Sequence, residues 1–181
     1  MYIATRDYGR KGSIMAAISA IDIALWDIAG HFYSQPIHPL LGGAFRYSIK
    51  PYAAGFYRVE GLGEAARLAK EARHHHQAGF TSMKIKLGFG LADDLAVMRA
   101  IGDAFEHTDV ELMVDVNHAY GRQEARALGE ALSEYLIRWY EEPLVPEDIT
   151  GYAELRKLLT VAIAGSENEH SSFGFNQLFF H

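Results

Sequence analysis

Lys84 and Lys86 lie two residues apart in Thr81-Ser82-Met83-Lys84-Ile85-Lys86-Leu87. Side chains alternate along an extended strand, so Ser82, Lys84 and Lys86 share one face. Thr81, Met83, Ile85 and Leu87 share the other, which can pack under helices. The lysines are aimed away from that layer at the carboxyl end of the strand, where parallel α/β folds place their chemistry. Alone, the pair fits equally well an edge strand with one wet face. The following segments shift the balance. In Leu112-Met113-Val114-Asp115-Val116-Asn117, Asp115 and Asn117 lie on the face opposite Leu112, Val114 and Val116. The next two apolar segments end in Trp139-Tyr140-Glu141-Glu142-Pro143 and Ala164-Gly165-Ser166-Glu167-Asn168-Glu169. Asp115 to Glu141 and Glu141 to Glu167 are each 26 residues, and Lys86 to Asp115 is 29. One strand–helix cycle therefore separates each charge from the next. Three carboxylates gathered in a low-dielectric cleft repel one another. A divalent cation with oxygen ligands resolves the conflict, Mg²⁺ first and Mn²⁺ second. The expected ligands are Asp115, Glu141 and Glu167. Strand alternation or the following loop places Glu142 and Glu169 outside that set.

These residues need a scaffold. Ser13 is expected to cap a helix with an apolar stripe of Ile14, Ile18, Ile21, Leu25 and Ile28, ended by Gly30. Asp22 and Asp27 lie off the stripe and read as capping, paired or solvated groups, and Trp26 reads as a packing anchor. Pro36, Pro39 and Leu40-Leu41-Gly42-Gly43 mark irregular chain. Strands are expected at Tyr47–Phe56, Phe80–Leu87, Val110–Asn117, Ile137–Glu141 and Val161–Ser166. Helices are expected at Leu62–Gln77, Leu91–Phe105, Arg122–Tyr135 and Ile149–Leu159. His74, His75 and His76 point about 100° apart on their helix and do not converge on one metal. The alternation predicts a parallel α/β architecture, either doubly wound or a (β/α)8 barrel. Gly61-Leu62-Gly63 and Gly88-Phe89-Gly90 lack the rest of a dinucleotide fingerprint, and no Walker sequence occurs.

Composition narrows the function. The 181 residues carry 17 Lys+Arg against 23 Asp+Glu, a net charge of −6, which argues against a general nucleic-acid binder. Cys is absent, so thiolate nucleophiles, disulfides and Cys-ligated metals are excluded. A 49% hydrophobic content argues against disorder. No run of 18 apolar residues suggests a membrane span, and the first residues do not read as a signal peptide. The default expectation is a cytoplasmic chain with neither nucleic-acid nor membrane partners.

Taken in order, several segments form a recognisable series. They are Ser19-Ala20-Ile21-Asp22-Ile23-Ala24-Leu25-Trp26-Asp27-Ile28-Ala29-Gly30, Leu40-Leu41-Gly42-Gly43, Lys84-Ile85-Lys86, Asp115-Val116-Asn117, Glu141-Glu142-Pro143-Leu144 and Gly165-Ser166-Glu167-Asn168. The chain resembles the enolase superfamily, in its mandelate racemase/muconate-lactonising branch with the acid-sugar dehydratases. That resemblance implies Asp115, Glu141 and Glu167 as Mg²⁺ ligands. It implies Lys86 as the base for a proton α to a carboxylate, Lys84 as its companion beside the substrate carboxylate, and Asn117 as a substrate contact or support for the metal shell. Ser166 stands where many relatives have Gly. The chemistry is coherent: removing the α-proton builds charge that Mg²⁺ can hold. A second ammonium beside Lys86 would lower its pKa.

The resemblance implies a partial (β/α)8 barrel with about five of eight strands. Residues 1–45 read as the remnant of an α+β capping domain and 46–181 as the first half of the barrel. The family's polar groups on strands six to eight have no counterpart, and His170 and His181 lie too early to replace them. The expected activity is that of a Mg²⁺-dependent sugar-acid dehydratase. The alternatives are a racemase or epimerase of the same superfamily, or a non-catalytic barrel fragment. Expected partners are a small carboxylate or sugar acid and, through the open sheet edges, a homo-oligomer or a completing barrel chain.

Overall fold

The computed structural model describes residues 1–106 and 108–180. His181 lies outside the described residues. The chain divides into two compact units, 1–50 with 167–180, and 51–166.

The first unit is helical. It holds α1 (Tyr2–Thr5), α2 (Ser13–Tyr33), α3 (Ile37–Leu40) and α8 (Ser171–Phe180). In α2 the expected boundaries move. Gly12 is the N-cap and Ser13 the first helical residue, without a side-chain cap. Gly30 does not end the helix; it is the one buried residue of α2. Its missing side chain lets the carbonyl of Gln35 approach, since a Cβ there would stand 3.0 Å from that oxygen. The helix closes instead at Ser34, left-handed at φ 52°, whose N–H reaches back to the carbonyls of Gly30 and His31. Asp27 pairs loosely with His31 at 3.7 Å. The expected apolar stripe is largely solvent-facing, with Ile21, Leu25 and Ile28 exposed. By length and composition α2 could cross a membrane, because its two acids interrupt the run without making the helix polar. Helix α8 had no counterpart in the sequence reading, because its Ser171-Ser172-Phe173-Gly174 start lacks helical periodicity.

The second unit is a five-stranded, all-parallel sheet in the order β1-β2-β3-β4-β5, a partial (β/α)8 barrel. Strands β1 (Ala53–Ala54), β2 (Ser82–Lys86), β3 (Glu111–Asp115), β4 (Ile137–Glu141) and β5 (Ile163–Ala164) alternate with α4 (Ala65–Gln77), α5 (Leu91–Ala104), α6 (Arg122–Leu132) and α7 (Ile149–Leu158). Met83, Ile85, Val114 and Tyr140 pack with Leu68, Val97, Ile101, Leu128 and Leu132 of the helices in one hydrophobic core. The predicted first strand shrinks from ten residues to two: Pro51 precedes it, and Gly55 at φ 155° turns the chain away. Helix α4 starts later than expected, because Gly61 and Gly63 hold positive φ. Glu64 then gathers the chain, accepting the N–H groups of Val59, Glu60 and Gly61 at 2.8, 2.9 and 3.0 Å.

Strand β4 carries an irregularity that the sequence did not reveal. Leu112 pairs with Ile137, yet Met113 pairs with Trp139, so Arg138 is bulged out of the ladder. From there the register runs Val114 to Tyr140 and Asp115 to Glu141. The extra residue lets Ile137 and Tyr140 both face the helices while Trp139 and Glu141 face the other way. An unbulged ladder would have set Tyr140 beside Asp115 and turned Glu141 into the helical layer.

Candidate active site at the carboxyl ends of the strands

Lys86, Asp115 and Glu141 are level on three adjacent strands, since Lys86 pairs in register with Asp115 and Asp115 with Glu141. The sequence spacings of 29 and 26 residues are therefore one structural level.

The groups close on each other. Lys84 Nζ donates to both carboxylate oxygens of Glu141 at 3.0 Å and lies 3.2 Å from Asp115 Oδ2. Lys86 Nζ donates to Asp115 Oδ2 at 2.6 Å and to Asn117 Oδ1 at 2.7 Å. The backbone N–H of Asn117 donates to Asp115 Oδ1 at 3.0 Å. Trp139 Nε1 donates to Glu141 Oε2 at 2.8 Å. Asp115 is fully buried. Burial pushes its carboxyl up, but the hydrogen bonds from Lys86, the Asn117 backbone and Lys84 outweigh it, so its pKa lies below the usual carboxylate value. Burial likewise works against the charge of Lys84. Its bonds to Glu141 and Asp115 outweigh that cost, and its pKa is raised.

Behind this level the backbone is strained. Asn117, His118, Glu142 and Ser166 are non-glycine residues with φ of 42°, 66°, 50° and 102° at the ends of β3, β4 and β5. Such conformations cost energy and gather where side chains must be aimed. His118 and Glu142 were not expected in the site. Glu142 is buried. His118 Nε2 lies 3.2 Å from Glu142 Oε2, and Asn117 Nδ2 donates to the same oxygen at 3.3 Å. The His118 N–H donates to the Glu142 carbonyl at 2.9 Å, which ties the end of β3 to that of β4. The available signal was position: His118 directly follows Asp115-Val116-Asn117.

Glu167 is an exposed residue directly after Ser166 and opens the second stretch of the helical unit. His118 and Glu142 set an imidazole nitrogen beside a carboxylate, donors that a divalent metal ion also takes. The chemistry of the Asp115–Glu141 pair fits such an ion as well. Both carboxylates converge on one positive centre, the Lys84 ammonium, at 3.0 to 3.2 Å. Their oxygens are hard donors of the kind Mg²⁺ takes.

The three histidines of α4 do not converge. His75 packs against Phe56 and Phe80, and His76 against Phe105.

Comparison with known proteins finds relatives over nearly the whole chain. A family model described as "Enolase C-terminal domain-like" matches residues 65–180, and one described as "Mandelate racemase / muconate lactonizing enzyme, N-terminal domain" matches residues 3–42. The chain is 40% identical over 177 residues to D-galactarolactone cycloisomerase of Agrobacterium fabrum, covering 98% of this chain and 47% of the relative. It is 34% identical over 179 residues to arabinonate dehydratase of Saccharolobus solfataricus, again over 98% and 47%. The crystal structure of 3,6-anhydro-D-galactonate cycloisomerase from Zobellia galactanivorans superimposes with a TM-score of 0.92 at 42% identity, covering 99% of this chain and 49% of that one. The chain thus spans about half the length of the relatives it matches.

Proposed function

The chain belongs to the mandelate racemase/muconate-lactonising branch of the enolase superfamily, and on that premise we propose that its site removes the proton α to the carboxylate of a sugar acid, with Mg²⁺ as cofactor. One observation carries the reading: Lys86, Asp115 and Glu141 stand level at the strand ends, with Lys84 reaching both acids. Asp115, Glu141 and Glu167 are the proposed ligands. When bound, Mg²⁺ supplies positive charge to the substrate carboxylate as the α-proton leaves. A carboxylate oxygen given to Mg²⁺ would weaken, without abolishing, the hold of Asp115 and Glu141 on Lys86 and Lys84. Lys86 then serves as the base and Lys84 as a fixed positive charge beside the substrate carboxylate. Asn117, already bonded to Lys86, orients that amine. His118 holds Glu142, and through it the ends of β3 and β4.

Once Lys86 has given up a proton, its neutral Nζ takes the α-proton; the electron pair left behind forms the Cα–Cβ double bond as the bond from the β-carbon to oxygen breaks, and the departing oxygen takes up a proton. If that oxygen is a hydroxyl, the reaction is a dehydration. If it belongs to a ring, the ring opens and the reaction is a cycloisomerisation. Dehydration is the leading reading. The second is favoured by the two relatives named as cycloisomerases, at 40% and 42% identity. Both readings share the base and the metal. The two outer strands, β1 and β5, each have a strand on one side only among the described residues, which suits completion by a second copy or a further barrel chain.

The test is α-proton exchange. The chain is incubated with Mg²⁺ and a panel of aldonates and their lactones in D₂O, and the α-proton resonance is followed by NMR. Exchange that is lost in Lys86→Met and on chelation is expected. A folded, Mg²⁺-bound chain that exchanges none of the panel would contradict the proposal.

A further inference from the structure

The carboxylate of Asp94 is fully buried, although it takes no part in the proposed chemistry. It sits in the first turn of α5, where the helix dipole favours a negative charge. Its oxygens accept the N–H groups of Gly88 and Phe89 at 2.7 and 3.2 Å, both in the loop after β2. They also accept the hydroxyl of Tyr120, from the loop after β3. The Tyr120 oxygen in turn accepts the N–H of Gly90 at 3.1 Å. A third loop arrives from β1. Its Arg58 guanidinium is 97% buried, lies 2.8 Å from Asp93 and 3.6 Å from Asp94, and stacks 4.6 Å over Phe89. Among the described residues Arg58 Nε and Nη1 meet no acceptor, so the charge of this buried group leans on the two acids. Gly63 of the same loop donates to Asp93 at 2.7 Å. Three consecutive loops at the carboxyl end of the sheet are thus gathered on two adjacent carboxylates.

The geometry points to Asp94 and Tyr120 as positioning residues that hold Lys86 against Asp115 and Asn117. Gly88 follows Lys86 by two residues, and Tyr120 follows Asn117 by three. The Asp94–Tyr120 bond therefore locks the loop after Lys86 to the loop after Asn117. Gly88, at φ 98°, completes the fit, because a Cβ there would lie 2.7 Å from the Val116 carbonyl and 2.9 Å from the Ala119 Cβ. An apolar side chain could fill the volume of Asp94 but could not fix three donors from two loops. Asp94 was invisible in sequence, because an acid in the first turn of a helix reads as an ordinary dipole partner.

The role of Lys86 rests on the proposed function, but the test does not. The full chain is treated with limiting acetic anhydride, and labelling of Lys86 is measured by mass spectrometry against the exposed Lys70 and Lys157. Tyr120→Phe keeps the ring and removes the bond. The expected result is a rise in the Lys86 to Lys70 ratio of roughly threefold to tenfold, the range of one ordinary lost hydrogen bond. The Lys157 to Lys70 ratio should stay unchanged. A lower melting temperature with an unaltered Lys86 ratio would overturn the inference and leave Tyr120 with a purely structural part. Should the variant not fold, hydrogen exchange of the wild-type chain decides. Gly88 and Phe89 amides protected to the level of the β2 and β3 core support the lock, and exchange at open-loop rates refutes it. Neither readout involves substrate or metal, so a failure of the α-proton assay stays separable from a failure here.

Discussion

At the level of single residues, the site is a balance of charge. Fully buried Asp115 tolerates ionisation because two ammonium groups and a backbone N–H surround it. Removing one cation should therefore be costly. Lys84→Met is expected to destabilise the chain by roughly 3 kcal/mol, the range seen when one partner of a buried pair is deleted. Saturating Mg²⁺ should restore part of the loss by supplying the missing charge, and urea unfolding with and without the ion measures both. That Lys84, Lys86 and Asp115 reach one face at the strand ends was legible in the sequence from alternation, and the spacing put Glu141 at the end of the next strand. How the charges pair was not legible. Alternation places the two lysines side by side but does not show that acids of the next two strands take both ammonium groups, with the result that the pKa of Lys84 is raised. His118 and Glu142 escaped because their left-handed backbone breaks the alternation on which the reading relied.

At the level of elements, loops and a bulge do the aiming. Gly88 sits at φ 98° under the Val116 carbonyl, so Gly88→Ala should cost about 2 kcal/mol in chemical denaturation. The loop ahead of α4 offers a pH test. Burial pushes the Glu64 carboxyl up, but the N–H groups of Glu60, Val59 and Gly61 and the Arg67 guanidinium outweigh it and bring its pKa to about 2 from 4.5. A pKa lowered on folding adds stability that is present above the unfolded value and is lost as pH falls. Stability should thus decline from pH 4.5 toward pH 2, and Glu64→Gln should flatten that part of the profile. Element order was well marked in the sequence, since β4 and the starts of α5, α6 and α7 lie where periodicity puts them. The failures were local. Strand β1 contracted around Pro51 and Gly55, and α2 ran through Gly30 to Ser34. The Arg138 bulge left no trace in composition, yet it decides whether Glu141 or Tyr140 stands beside Asp115.

At the level of the whole molecule, five parallel strands leave β1 and β5 with neighbours on one side only among the described residues. Unpaired strand edges invite further strands. Sedimentation over a concentration series should show reversible association, and a strictly monomeric, well-folded chain would speak against edge pairing. Whether the strand ends hold a metal ion is decided by one titration. Mg²⁺ is added to the purified chain and to Asp115→Asn while thermal unfolding is followed. A ligand that binds only the folded state stabilises it by about 2.7 kcal/mol at one hundred times its Kd. A saturable rise in melting temperature is expected for the wild-type chain and none for Asp115→Asn. A cooperative transition unmoved by Mg²⁺ in the wild-type chain would contradict a metal site at the strand ends.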